Sequence, residues 1–201
     1  MAVIGITLNE VIRDFLNQLI YTYDKYISES DVVAEDIVSL DLSKYFPMEK
    51  DGGIDRFIHD ECCLEIFGHA DQLKNNISIH FNNFIMDIED DTEHKIEIIS
   101  REMDKGIPAT LFFLSKIGCK AKNIKFINKP ENIWENVDVL ITADPIILYH
   151  KPANKISVKI NAPYNSESTA DFELESILNF INDESLRDKI LSTRITTYEE
   201  I

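Results

Sequence analysis

Five short apolar runs, each separated from the next by a helical or loop pattern, restrict this chain to few folds. They are AVIGIT at residues 2–7, KIEIIS at 95–100, NIKFI at 123–127, VDVLIT at 137–142 and ISVKI at 156–160. Runs of this length rich in Ile and Val read as buried strands. Helical crossovers between strands imply parallel pairing, and so a sheet between two layers of helices. The expected fold class is α/β, a three-layer Rossmann-like arrangement around a parallel sheet. In such sheets ligands sit beyond the carboxyl ends of the strands. That geometry would bring Thr7, Ser100, Asn128 and Thr142 together.

Between the strands, Val11, Ile12, Phe15, Leu16, Leu19, Ile20 and Tyr23 keep the spacing of a one-sided helix from about Asn9 to Ile27. Thr7 and Glu10 stand as a T-x-x-E capping box, which explains the segment without chemistry. Residues 28–92 break the rhythm. Helices are expected there over Ile54–Phe67, ended by Gly68, and over Asp71–Asp90. The stretch reads as a mostly helical cap insertion (28–92) within a core of residues 1–27 and 93–201. Further on, Pro108 begins a helix that Gly118 closes, and a last amphipathic helix spans about Ala170–Asn182, followed by a shorter one to Leu191.

Charge removes some functions from consideration. With 36 acidic against 20 basic residues the net charge is −16, which opposes direct contact with nucleic acid. The acidic run Asp87–Asp91 is a solvated face or meets a basic protein partner. No apolar run reaches the roughly 18–20 residues of a membrane helix, so no membrane span is expected. Cys62, Cys63 and Cys119 fit reduced thiols. His59, Cys62, Cys63 and His69 lack zinc spacing and read as core cysteines flanked by surface histidines. Phe112, Phe113, Phe126 and Trp134 read as core aromatics.

The first strand ending in two special positions, an inserted cap, a strand ending in Ser100, a later Lys129, and VDVLIT before Asp144-Pro145 resemble the haloacid dehalogenase-like superfamily, in its 5′-nucleotidase branch. The resemblance covers most of the chain. It implies that Thr7 stands for the family's nucleophilic Asp and Asn9 for its acid/base Asp. Ser100 keeps the phosphate-binding hydroxyl, and Lys129 corresponds to the conserved lysine. Thr142 and Ala143 replace the acidic pair of the fourth motif, with Asp144 just beyond. Carboxylates are what a Mg²⁺-assisted phosphoryl transfer needs. The expectation is therefore a vestigial pocket with no catalytic residues, no metal and no cofactor: not an enzyme.

With Lys/Asn/Ile-rich usage that fits a low-GC genome, the same resemblance implies a phage virion component. A ring or adaptor protein near the portal and tail is expected, located in the virion or the host cytoplasm, with other virion proteins as partners. Tyr45, Phe46, Phe57 and Phe67 of the cap would either supply contact or pack the cap onto the sheet. The alternative is a phosphatase or 5′-nucleotidase-like enzyme, or a phosphate-ligand binder, with an altered pocket.

Overall fold

The computed structural model describes residues 2–49, 51–90 and 94–193. The expected cap–core boundary at 92 and 93 and the two chain ends lie outside these residues. Six strands form one sheet in the order β3-β2-β1-β4-β5-β6. They are β1 (Ala2–Thr7), β2 (His94–Ser100), β3 (Ile124–Phe126), β4 (Val139–Thr142), β5 (Ile156–Ile160) and β6 (Phe172–Leu174), and every pairing is parallel. The fold is the three-layer, Rossmann-like α/β arrangement.

Period-2 alternation sorts the strands between the layers. Ile4 and Ile6 of β1 pack with α3 (Ile77–Asp90), α4 (Gly106–Lys116), α7 (Ile177–Asn182) and α8 (Glu184–Ser192) through Phe81, Phe113, Phe180 and Ile190. On the other face Ile99 and Leu140 meet Trp134 of α5 (Pro130–Trp134) and Ile147 of α6 (Pro145–Tyr149). Gly5 is held to glycine by that packing. A Cβ there would stand 2.6 Å from Val137 Cγ1 and 2.8 Å from Leu140 Cδ1, an overpacking worth about 1–3 kcal/mol.

The first helix begins later than its periodicity suggests. α1 runs Phe15–Tyr26, capped by Asp14. Residues 8–13 instead form a tight turn in which the N–H groups of Val11, Ile12 and Arg13 converge on the Leu8 carbonyl. Leu8, Val11 and Ile12 are buried in the core, so the turn satisfies their apolar spacing without a helix. The Thr7–Glu10 capping box does not form. Thr7 belongs to β1, and Glu10 sits at φ 55, a left-handed conformation uncommon outside glycine.

The insertion is less regular than expected. It holds two 3₁₀ turns (Ala34–Asp36 and Leu42–Lys44), the short α2 (Gly53–Arg56), and π-helical turns at Phe57–Glu61 and Leu64–Gly68. The expected helix over Ile54–Phe67 is interrupted at Cys62, where the backbone leaves the helical region (φ −120, ψ 21). Phe46, Phe57 and Phe67 are buried against α1, with Tyr45 partly buried beside them. Phe46, Phe57 and Phe67 thus pack the insertion against α1. Cys62 and Cys63 are buried, while His59 and His69 are exposed. α3, which the sequence places in the insertion, packs on the sheet beside α7.

Three elements had no sequence expectation: β6, α5 and α6. Phe172–Leu174 extends as an edge strand on β5, where the last helix was expected, and α7 begins only after its cap Ser176. Phe113 and Trp134 are core residues, but Phe112 is 43% exposed. Among the described residues no helix is long and apolar enough to cross a membrane.

Candidate functional site

Strand order reverses at β1, which has β2 on one side and β4 on the other. This is the switch point where parallel sheets open a ligand crevice. The carboxyl ends of these strands carry Thr7, Ser100 and Thr142. A cavity of about 80 Å³ lies over them, lined by Thr7, Asn9, Ser100, Arg101, Glu102 and Asp144, with Leu40 from the insertion and Tyr164 completing its wall. Larger clefts of about 520 Å³ beside α6 and about 440 Å³ between α3 and α8 lie away from these strand ends.

The floor of the cavity is a chain of hydroxyls. Thr7 Oγ1 donates to Thr142 Oγ1 (3.0 Å), which also accepts the Asp144 N–H (3.1 Å). Ala143 is fully buried, and its carbonyl accepts from Asn165 Nδ2 at 2.8 Å. That bond anchors the turn carrying Tyr164. Burial, with the charges of Glu10 and Asp144, holds the Tyr164 phenol well above its ordinary value. Tyr164 is therefore a neutral hydroxyl.

Behind the cavity lies a buried charge network. Arg13 has no exposed surface. Its Nε donates to Asn9 Oδ1 (2.7 Å), Nη2 to Glu102 Oε1 (2.8 Å), and Nη1 to Thr110 Oγ1 (3.1 Å) and the Phe67 carbonyl (3.3 Å). Asn9 Nδ2 donates to Glu102 Oε1 (2.9 Å), and Ser100 Oγ donates to Glu102 Oε2. Burial alone would raise the Glu102 pKa, but the Arg13 charge and the Ser100 and Asn9 donors bring it below the ordinary value. Burial pulls Arg13 down against the opposing pull of Glu102, yet a guanidinium keeps its proton at neutral pH. The pair is ionic.

At the mouth, Arg101 Nη1 meets Asp144 Oδ2 at 2.7 Å, and Arg101 Nε donates to the Asn128 carbonyl at 3.3 Å. Asp144 Oδ1 caps α6, accepting from Ile146 N–H (2.8 Å) and Ile147 N–H (3.3 Å). Lys129 is not at the cavity. It is the exposed N-cap residue of α5, and Arg101 supplies the cation instead. Thr7, Asn9, Ser100 and Asp144 line the cavity and Thr142 bonds to it from below. The sequence reading missed Arg13, Arg101 and Glu102, although charges directly after the Ser100 strand end were a visible signal.

The six-strand order and the switch-point crevice define a class before any relative is considered: a doubly wound α/β fold with an insertion after its first strand. Solved structures agree. A putative haloacid dehalogenase-like hydrolase from Bacteroides fragilis superposes with TM-score 0.59 at 10% identity, covering 90% of this chain and 99% of that one. A phosphonoacetaldehyde hydrolase-like protein from Oleispira antarctica gives 0.60 at 9%, covering 96% and 95%. The putative HAD-hydrolase YfnB from Bacillus subtilis, bound to magnesium, gives 0.54 at 9%, covering 90% and 97%. No family model matches the sequence, and no curated protein is significantly similar to it. The chain has the haloacid dehalogenase-like fold. All three neighbours are named as hydrolases or hydrolase-like, which overturns the expectation that the chain is not an enzyme: its scaffold is that of hydrolases.

A divalent cation does not fit the donor set around the cavity. Asn9 Oδ1 is taken by Arg13, Glu102 by Arg13, Asn9 and Ser100, and Asp144 by two helix N–H groups and Arg101. Two guanidinium groups stand on the carboxylates that an ion would need. Among the described residues no group of three or more His, Cys, Asp or Glu side chains is placed to hold a metal.

Glu10, next to Asn9, makes the region sensitive to pH. Its Oε1 accepts the Leu16 N–H at 2.9 Å, and burial pushes its carboxyl from 4.5 up to about 7, with Asp14 adding to the rise and the Leu16 bond and Arg13 opposing it. Between those values the unfolded chain has released a proton that the folded chain retains. Wild-type stability therefore falls as pH rises from about 4.5 to about 7, by roughly 2–3 kcal/mol. Glu10→Gln keeps an acceptor for Leu16 and removes the titration. Urea unfolding between pH 4 and 8 should show wild type losing stability relative to Glu10→Gln across that window. Parallel pH profiles would contradict the assignment.

Proposed function

We propose that this chain is a hydrolase-fold protein whose switch-point cavity takes the phosphoryl group of a small phosphorylated ligand. The observation that carries the reading is the Arg101 guanidinium at the cavity, with N–H donors to spare. Beside it are the Thr7 and Ser100 hydroxyls at the carboxyl ends of β1 and β2, which would turn from Thr142 and Glu102 to donate to a ligand. A planar guanidinium with hydroxyl partners suits the tetrahedral oxygens of a phosphate. A cavity of about 80 Å³ suits a phosphoryl head, with the rest of the ligand outside. One structural neighbour is named for a phosphonate substrate, which supports the same chemistry.

Calorimetric titration with inorganic phosphate and with a phosphomonoester tests this. Saturable binding is expected, weakened about 2–10-fold in Thr7→Val, which removes one hydroxyl donor and little volume. Phosphate released from the ester in the same solutions would extend the reading to hydrolysis. The absence of any saturable binding at tens of millimolar would end it.

A second reading, contact with a protein partner, of which a virion component would be one case, rests on one surface feature. Leu64 and Phe112 are 47% and 43% exposed, and both lie against Gly68, so they adjoin. Contiguous exposed apolar side chains mark partner surfaces. Sedimentation velocity with and without candidate virion proteins checks it: complex formation lost in Phe112→Asp supports contact at this face, and a chain that stays monomeric in every mixture removes it.

A further inference from the structure

The Arg101–Asp144 pair differs from the other ion pair at this site in one respect that decides its use. Arg13 is fully buried and committed on every side, to Asn9, Glu102, Thr110 and the Phe67 carbonyl, and its guanidinium lies 4.9 Å from the Phe67 ring centroid and 5.5 Å from that of Phe113. No ligand can reach it. Arg101 and Asp144 are 30% and 23% exposed and both line the cavity. Of the five N–H donors of a guanidinium, Arg101 spends one on Asp144 and one on the Asn128 carbonyl.

Resting on the phosphoryl reading above, we propose that Arg101 supplies the ligand's counter-charge in place of a divalent metal ion, and that Asp144 is a built-in carboxylate competitor which the phosphoryl group displaces. Three observations meet in this assignment. The donor set rejects a divalent ion, because both nearby carboxylates already carry a guanidinium. A chain of net charge −16 needs a local cation to accept a dianion. Finally, Asp144 is divided between two tasks. Oδ1 holds the first N–H groups of α6 while Oδ2 alone holds Arg101. A phosphate oxygen can take the place of Oδ2 on Arg101 without uncapping the helix. Release leaves a carboxylate facing a phosphate, so ligand affinity is limited by Asp144 itself.

The consequences separate this arrangement from a metal-dependent one. Binding proceeds in EDTA and is not improved by magnesium. Arg101→Ala weakens it about tenfold or more, as expected for a lost charged hydrogen bond. Arg101→Lys, which keeps the charge and loses the fork, falls between. Asp144→Asn tightens binding by about 3–10-fold, since asparagine still caps a helix but neither competes for Arg101 nor repels the dianion.

The experiment is calorimetric titration of inorganic phosphate into the full chain and these three variants, in EDTA and in magnesium, with thermal unfolding to confirm that each is folded. Metal-independent binding, lost in Arg101→Ala and tightened in Asp144→Asn, is the expected result. Binding that requires magnesium, persists undiminished in Arg101→Ala, or weakens in Asp144→Asn overturns the role given to this pair while leaving the phosphoryl reading standing. No binding by wild type and Asp144→Asn in either buffer overturns the phosphoryl reading itself.

Discussion

A guanidinium with no exposed surface must find its counter-charge inside the protein, and Arg13 finds it in Glu102 at 2.8 Å. Removing one member of such a pair strands the other and costs about 3–5 kcal/mol, even where the intact pair adds little net stability. The geometry around the pair follows from that constraint. Arg13 comes from the turn after β1, Glu102 from the loop after β2, Thr110 from α4 and the Phe67 carbonyl from a π-helical turn of the insertion. One side chain therefore fixes four segments relative to one another. Asn9 and Ser100, which line the cavity, are oriented through the same two charges.

The insertion is tied to the pocket by apolar packing as well. Phe15 of α1 stacks on Phe67 at 5.7 Å between ring centroids, and the Arg13 guanidinium lies over that same Phe67 ring. The π-helical turns bear directly on this arrangement. An i→i+5 bond joins His69 N–H to the Leu64 carbonyl, and the Phe67 carbonyl accepts from Arg13. Such turns occur mostly as local bulges at functional positions. Here the bulge supplies a buried acceptor to the charge network.

The sheet was legible because strands buried on both faces have to be continuous apolar runs, and five of the six are. β6 was not: it is as short as β3 and also at an edge, but β3 sits within the longer apolar run NIKFI, whereas Phe172-Glu173-Leu174 leads straight into the helical apolar spacing that follows it. The turn at residues 8–13 defeated periodicity for a different reason: Val11 and Ile12 are buried as helical residues would be, but a left-handed Glu10 redirects the chain. At the site, Thr7, Asn9, Ser100, Thr142 and Asp144 were found from strand ends, whose positions the topology dictates. Arg13 and Glu102 have neighbours in sequence as partners, Asn9 and Ser100, but the bonds that join Arg13, Arg101 and Glu102 to other elements reach partners 27 to 97 residues away. Nothing local to them reports those partners. Lys129 failed for the converse reason, being near in sequence to the right strand but facing solvent.

The pocket that results is built from hydroxyls, one accessible guanidinium and carboxylates already spoken for, at the one place in the sheet where topology opens a crevice. A crystal structure of the protein soaked in phosphate tests that account most directly. It should show a tetrahedral anion within about 2.7–3.2 Å of the Arg101 guanidinium and of the Thr7 or Ser100 hydroxyl, with Asp144 turned from Arg101 and still capping α6. An Arg101–Asp144 contact unchanged at saturating phosphate, with the anion bound elsewhere or nowhere, would contradict it.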